Sequence, residues 1–279
     1  MLFHSSYTAL LTPFKDNKVD YLSYRELIDF QINNGTHGLV PVGTTGESPT
    51  LSHDEHKKLI EVCIEQSNGR VPVIAGAGSN STSEAVDFVK HACSAGADGL
   101  LVVTPYYNKP TQSGLLAHYK ELIKHASKPI IIYDIPGRSV IQMTDKTMAE
   151  LAQDRFIVGV KDATADLTRP TRLQNVISDD FIQLSGEDGT ALAYLAAGGH
   201  GCISVTANIA PNLLSRMHNA WKQGDINTAQ EINKKLMPLH DALFCETSPG
   251  PLKYAASLLG ICSSDARLPI VEIEEDSKL

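Results

Sequence analysis

Eight short runs of apolar and β-branched residues recur along the chain, and this repetition is the feature that most constrains its fold. The runs begin at residues 7, 37, 71, 98, 128, 156, 181 and 201, and they include KPIIIYDIP and FIVGVKDAT. Between them lie stretches such as TSEAVDFVKHACSAG, in which apolar residues return every three or four positions, as in amphipathic helices. Near-continuous apolar strands alternating with helices are typical of a parallel sheet covered by helices.

Eight such units predict an α/β fold, a (β/α)8 TIM barrel, which commonly uses about 250 residues in one unit. A doubly wound open sheet is the alternative, but GAGSNS at 76–81 lacks the third glycine of a dinucleotide-binding loop. Helical stretches without intervening strands follow the eighth run and indicate a C-terminal helical extension. We therefore expect a catalytic barrel over 1–224, with a C-terminal helical domain and acidic tail over 225–279.

Composition narrows the possible partners. The formal net charge is -8 and lysine and arginine do not cluster, which disfavours binding to nucleic acid or to an anionic membrane. No run approaches the roughly 18 apolar residues of a membrane span, and the N-terminal residues lack the basic segment of a signal peptide. The five cysteines are widely spaced without a C-x-x-C pair, which is typical of a cytoplasmic protein with reduced thiols.

The polar residues at the strand ends are the candidates for chemistry, because (β/α)8 enzymes bind substrate at the carboxyl ends of their strands. Lys161 ends the apolar run FIVGVK. A solvated strand-end charge is the ordinary alternative, but an amine pointing into the barrel mouth is desolvated and can form a Schiff base with a carbonyl substrate. Tyr133, at the neighbouring strand end, is the natural proton carrier, with a structural core tyrosine as the alternative.

Other strand-end features suggest how a substrate is held. The glycines of GTTGES at 43–48 allow a tight turn whose N–H groups and hydroxyls suit a carboxylate, although a simple turn is possible. Arg138, after Pro136-Gly137, could bind a second carboxylate or be a surface arginine. His53 and His56 lack a third nearby ligand, so a solvated helix face is favoured over a metal site. We expect neither a metal nor an organic cofactor.

Five motifs in order carry a resemblance to a known family: GTTGES at 43–48, TPYY at 104–107, YDIPGR at 133–138, GVKDAT at 159–164 and SGED at 185–188. From about residue 4 to 260 the chain resembles the dihydrodipicolinate synthase family, within the pyruvate-dependent class I aldolases. The resemblance implies condensation of pyruvate with L-aspartate 4-semialdehyde in diaminopimelate and lysine biosynthesis. It also implies a homotetramer that is a dimer of dimers.

The resemblance further implies a role for each matching residue. Lys161 matches the Schiff-base lysine, and Tyr107 matches a relay residue that reaches the active site of the neighbouring subunit. Inhibition by L-lysine is implied as well, through a separate regulatory site. The remaining implied roles are proton relay for Tyr133 and Thr44, carboxylate binding for Thr45 and Arg138, pocket lining for Gly186 and Ile203, and L-lysine binding for Ser48, His53, His56, Asn80, Glu84 and Tyr106.

One position departs from the family pattern, which commonly has asparagine after the strand-five tyrosine, where this chain has Asp134. An ionised aspartate only accepts hydrogen bonds, so either a donor interaction is lost or a nearby cation replaces it. Because side chains alternate along a strand, we expect Asp134 to point away from Tyr133.

Two other functions remain open. A sister lyase, an N-acetylneuraminate or keto-deoxy-sugar-acid aldolase, would share Lys161, Tyr133 and the GTTGE loop. Arg138 argues against it, because those relatives lack an arginine at the matching position. A non-catalytic lysine-binding barrel is the alternative outside enzymes, and retention of Lys161, Thr44 and both tyrosines argues against that function.

Overall fold

The computed structural model describes residues 3–278, and within them eight parallel strands form one sheet. The strands are β1 (Ser5–Ala9), β2 (Gly38–Val40), β3 (Ile74–Gly76), β4 (Gly99–Val103), β5 (Ile130–Asp134), β6 (Ile157–Asp162), β7 (Ile182–Ser185) and β8 (Gly201–Ser204). Their order in the sheet is β2-β1-β8-β7-β6-β5-β4-β3. A parallel bridge joins Leu39 of β2 to Val73, the residue before β3. The prediction of a (β/α)8 barrel is confirmed.

Helices follow the strands, and side chains cap the first turn of several of them. Ser52 accepts from the Glu55 N–H while the Glu55 carboxylate accepts from the Ser52 N–H, a reciprocal capping box. The hydroxyls of Thr111 and Thr144 cap two further helices. The helices are α1 (Tyr21–Asn33), α2 (His53–Ser67), α3 (Thr82–Ala95), α4 (Gln112–Ile123), α5 (Pro136–Ser139), α6 (Asp145–Leu151), α7 (Arg169–Gln174), α8 (Ala191–Ala196), α9 (Pro211–Lys222), α10 (Ile226–Ala242) and α11 (Gly250–Leu258).

The contacts divide the described chain into two compact units. The first comprises residues 3–4 and 74–203 and contains β3 to β7 with most of β8. Its strands are buried along most of their apolar length, and Leu100, Ile131 and Val160 are all 0% exposed; Val103 and Val158 are partly exposed. This near-continuous burial is the reason that the strands read as apolar runs rather than as an alternating pattern.

The second unit comprises residues 5–73 and 204–278, with β1, β2, α1, α2 and the three helices α9 to α11. Within this unit, the buried side chain of Asn208 hydrogen-bonds to the backbone at and after the end of β1. Its Nδ2 donates to the carbonyl of Ala9 at 2.7 Å, and its Oδ1 accepts from the Leu11 N–H at 3.0 Å. The helices after β8 lie where the sequence predicts them, whereas a domain boundary at residue 224 stays a prediction. Between residues 3 and 278, we find no helix of the length and apolarity that crossing a membrane requires.

Candidate active site

Lys161 and Tyr133 lie side by side at the carboxyl ends of β6 and β5. Each is the next-to-last residue of its strand, and their Cα atoms are register partners. The Lys161 Nζ atom lies 4.2 Å from the centroid of the Tyr133 ring, and each residue is 5% exposed. The structure therefore places the predicted nucleophile against the predicted proton carrier in a largely desolvated setting.

Gly186, directly after β7, approaches the lysine closely. Its N–H donates to the Asp162 carbonyl at 2.6 Å. A Cβ atom at this position would lie 2.7 Å from the Ala163 Cβ and 3.2 Å from the Lys161 Cε. Only glycine fits without displacing these neighbours. Ile203 is fully buried in β8, and the pocket-lining role of both residues stays a prediction.

Glu187 is a half-buried carboxyl group beside this lysine, and sequence reasoning gave it no role. Burial raises the pKa of Glu187, while the positive charges of Lys161 and Arg138 act in the opposite direction. Its backbone N–H donates to the Ser185 Oγ at 3.1 Å, and that hydroxyl donates back to the Glu187 carbonyl at 2.9 Å. The motif SGED, which follows a predicted strand, is the sequence feature from which a carboxylate at this position could have been identified.

Arg138 lies on the short helix α5, immediately beyond β5, and is exposed. The turn around it is tightly held, because the Ser139 hydroxyl bonds to the carbonyls of Ile135 at 2.8 Å and Ile141 at 2.9 Å. Val140 has a φ of +65°, a left-handed conformation that is unusual for a β-branched residue. The loop is thus a defined structure that places Arg138 directly beyond the strand end, where its charge acts on Glu187.

A cation lies beside Asp134, the residue that stands where the family commonly has asparagine. Arg169 Nη1 lies 2.8 Å from Asp134 Oδ2, and both side chains are completely buried. The same nitrogen lies 3.6 Å from Asp162 Oδ1. Although burial opposes its charge, the carboxylates of Asp162 and Asp134 raise the pKa of Arg169. Sequence reasoning missed Arg169, which is 35 residues away along the chain.

Tyr106 and Tyr107 follow β4 and face different surroundings. Tyr107 is 85% exposed and has a φ of +72°, so its aromatic ring projects from the surface. Tyr106 is half-buried, and burial together with the Glu84 carboxylate raises its pKa. The same tyrosine is near Asn80. Three predicted L-lysine-binding residues are therefore brought together within the first unit.

The GTTGES segment belongs to the second unit and forms consecutive turns. Gly46 N–H donates to the Gly43 carbonyl, and Glu47 N–H donates to the Thr44 carbonyl, each at 3.1 Å. The Thr12 hydroxyl donates to the Gly46 carbonyl at 2.7 Å and links the turn to the segment that follows β1. Thr45 is buried, whereas Thr44 is partly exposed. The predicted tight turn is present, and the roles of Thr44 and Thr45 stay predictions.

Glu47 anchors this turn to the C-terminal part of the same unit. It is 3% exposed and adopts a left-handed conformation with a φ of 54°. Its carboxylate forms an ion pair with Lys253 and accepts the Arg267 N–H at 3.0 Å. Arg267 also forms a bidentate ion pair with Glu55 on α2, and its hydrogen bonds lower the pKa of Glu55 to about 2.

His53 and His56 at the start of α2 differ from each other in burial. His53 is exposed, but His56 is only 3% exposed, so the expectation of a solvated helix face is wrong for His56. His56 precedes the buried Leu59 and Ile60 by three and four positions and thus shares the helix face that packs inward. Ser48 begins the 3-10 turn before this helix. In residues 3–278 we find no group of three or more His, Cys, Asp or Glu suited to a metal ion.

Comparison with known proteins gives a consistent result over nearly the whole chain. The model of the dihydrodipicolinate synthetase family matches residues 2–279. A 4-hydroxy-tetrahydrodipicolinate synthase from Rhodospirillum centenum is 60% identical over 97% of this chain and 93% of its own length.

Solved structures show the same similarity in three dimensions. A dihydrodipicolinate synthase from Acinetobacter baumannii, crystallised with pyruvate, has a TM-score of 0.96 at 40% identity and covers all of this chain and 96% of its own. The DHDPS (dihydrodipicolinate synthase) of Cyanidioschyzon merolae, solved with lysine bound, has a TM-score of 0.96 at 38% identity. That match covers 99% of this chain and 95% of the other.

Proposed function

Because this chain belongs to the dihydrodipicolinate synthetase family, we propose that it catalyses the 4-hydroxy-tetrahydrodipicolinate synthase reaction. In this reaction pyruvate condenses with L-aspartate 4-semialdehyde, a step of diaminopimelate and lysine biosynthesis. The observation that carries the proposal is the pairing of Lys161 with Tyr133, whose ring centroid lies 4.2 Å from the lysine nitrogen. A buried amine beside a phenol is the arrangement that imine chemistry requires.

Lys161 acts as the nucleophile. Its neutral amine attacks the pyruvate ketone, and the resulting carbinolamine loses water to form an imine. The imine then loses a proton from its methyl group and becomes an enamine, whose carbon attacks the aldehyde of the second substrate. The amino group of the semialdehyde displaces Lys161 and closes the ring, which returns the free lysine. Tyr133, Thr44 and Tyr107 carry the protons that these steps release and consume.

Both substrates carry a carboxylate, and the chain offers a separate group for each. Thr45, in the GTTGES turn, is assigned to the pyruvate carboxylate, and Arg138 is assigned to the semialdehyde carboxylate. A guanidinium can bind a carboxylate through two parallel hydrogen bonds, which sets its orientation as well as its affinity. Gly186 and Ile203 are assigned to the wall around pyruvate, and the small size of residue 186 beside the Lys161 Cε supports this assignment.

L-lysine is the proposed inhibitor. The lysine-bound structure of the Cyanidioschyzon merolae protein supports a site for this amino acid, and the clustering of Asn80, Glu84 and Tyr106 supports its place in this chain. The Glu84 carboxylate can take an ammonium group of the ligand. Ser48, His53 and His56 complete the proposed set of contacts. Tyr106 adjoins Tyr107, so a ligand held by Tyr106 can alter the proton relay directly.

The proposed assembly is a homotetramer built as a dimer of dimers, active in the cytoplasm. Tyr107 supports self-association, because its side chain is 85% exposed in one subunit and is therefore available for contact with a partner subunit. Sedimentation velocity tests this part of the proposal at the enzyme concentration of the assay. A fully active monomer would contradict it.

The experiment that tests the proposed function follows both substrates and the product by mass spectrometry. We expect stoichiometric consumption of pyruvate and L-aspartate 4-semialdehyde, with inhibition by millimolar L-lysine. N-acetylneuraminate is the comparison substrate, and equally fast cleavage of it would assign the chain to the sister lyases instead. Calorimetric binding of L-lysine without any turnover would indicate a non-catalytic sensor.

A further inference from the structure

The pairing between β5 and β6 is irregular at its beginning and regular at its end. The register shifts by one residue between Ile130 and Ile131, and then runs without interruption to the pair Tyr133–Lys161. A slip of one residue moves every side chain of a strand to the opposite face of the sheet. The relative placement of the catalytic amine and phenol therefore depends on contacts that hold the register at this end.

Arg169, at the start of α7, makes these contacts. Its Nη1 lies 2.8 Å from Asp134 and 3.6 Å from Asp162. The two aspartates are register partners, and each directly follows one member of the pair Tyr133–Lys161. One guanidinium therefore spans the ends of both strands, a single residue beyond the reacting groups.

The same guanidinium closes the loop that carries Arg138. Arg169 Nη2 donates to the Met143 carbonyl at 2.8 Å. The Met143 N–H in turn lies 3.3 and 3.2 Å from the two carboxylate oxygens of Asp134. Because Asp134 precedes this loop and Met143 follows it, the cluster pins together the two ends of the segment on which Arg138 lies.

The cluster needs an arginine rather than a simple positive charge. A third donor of Arg169, Nε, donates to Asp145 Oδ1 at 3.2 Å, so one planar group makes hydrogen bonds in fixed directions to the carboxylates of Asp134 and Asp145 and to a backbone carbonyl. Lysine has one nitrogen and no rigid fork, and cannot reproduce these directions. The side chains of Arg169 and Asp134 are fully buried, so water cannot replace a contact that is lost.

We infer that Arg169 is a positioning residue, which sets Tyr133 against Lys161 and anchors the loop of Arg138 through Asp134, Asp162 and Met143. It touches no substrate and acts only through these neighbours. The inference rests on the proposed function, because it assigns the cluster a role in the Schiff-base reaction.

The test compares Arg169→Lys with a matched control, Arg172→Lys. Arg172 lies on the same helix and also pairs with Asp145, but its side chain is 45% exposed. In Arg169→Lys we expect the far-ultraviolet circular dichroism to be unchanged. We expect kcat and the rate of formation of the borohydride-trapped pyruvate adduct each to fall about ten-fold or more, since a misplacement of about 1 Å in reacting groups is costly. KM for pyruvate should change much less than kcat. For Arg172→Lys we expect kcat and the adduct rate to stay within about two-fold of the wild-type values.

A folded Arg169→Lys enzyme with kcat and adduct rate within two-fold of wild type would overturn the inference. If that variant does not fold, the neutral double variant Asp134→Asn/Arg169→Gln decides by the same criteria. Failure of both variants to fold would also overturn it, because the cluster would then serve folding rather than positioning. Absence of an adduct in the wild-type protein would refute the proposed function itself, a different result from an adduct that Arg169→Lys leaves unchanged.

Discussion

Replacement of Lys253 by methionine tests how strongly the GTTGES turn depends on the C-terminal part of its unit. The Lys253 side chain has no exposed surface, and that of its partner Glu47 is 2% exposed. Lys253 Nζ also donates to the Asp265 carbonyl at 2.6 Å and lies 4.1 Å from the centroid of the Phe14 ring. The variant would leave the Glu47 carboxylate buried without its ammonium partner.

The expected loss follows from this burial. Removal of one partner of a buried ion pair costs about 3–5 kcal/mol, because the remaining charge loses its paired counter-ion and is shielded from water. Lys120 and Glu150 form a pair of the same chemistry at 2.8 Å, but their side chains are 57% and 43% exposed. Lys120→Met is therefore the matched control, with an expected cost of at most about 1 kcal/mol.

Urea denaturation at pH 7 measures both variants. The double variant Lys253→Met/Glu47→Gln should recover more than half of the loss, because it also removes the stranded carboxylate. A loss for Lys253→Met no greater than that for Lys120→Met would refute the reasoning. So would a double variant that is less stable than Lys253→Met alone.

Two further predictions concern the lysine pocket and acid stability. Gly186→Ala should lower kcat and the rate of adduct formation by roughly ten-fold or more, because the added methyl group collides with Ala163 and crowds Lys161. Gly137→Ala is the control, because a methyl group there meets nothing within 4 Å. Equal activities of the two variants would contradict this prediction. Burial lowers the pKa of His218 to about 3 from 6.5, so folding excludes a proton that the unfolded chain binds. The stability contributed by neutral His218 is thus complete above pH 6.5 and is lost as the pH falls toward 3, by about 1.4 kcal/mol per pH unit. Urea denaturation between pH 6 and 4 measures the free energy of unfolding of both proteins, and His218→Leu should reduce its dependence on pH by this slope. Equal pH dependence of the wild-type protein and the variant would contradict the prediction.

Much of the site was visible in the sequence because its residues follow apolar strands. Lys161 and Tyr133 each follow a run of apolar residues, and a parallel sheet brings such strand ends to one edge. The cation beside Asp134 was predicted as one of two possibilities, but its source was not. Arg169 is 35 residues distant, and only the packing of α7 determines that it faces two strand ends.

The remaining features depend on tertiary packing that a single sequence does not display. His56 was expected on a solvated face, yet it lies on the inward-packing side of α2 together with the buried Leu59 and Ile60. Glu47 lies in the GTTGES motif, which gives no indication of its partners. Its partners Lys253 and Arg267 lie more than two hundred residues away, the latter at a separation of 220, so no local pattern could pair them.

The most direct test of the account is intact and peptide mass measurement after incubation with pyruvate and borohydride, which reduces an imine to a stable secondary amine. We predict one adduct per chain, mapped to Lys161 and absent from Lys161→Arg. A folded wild-type protein that forms no adduct, or forms it on another lysine, would contradict the assignment of Lys161 as the nucleophile.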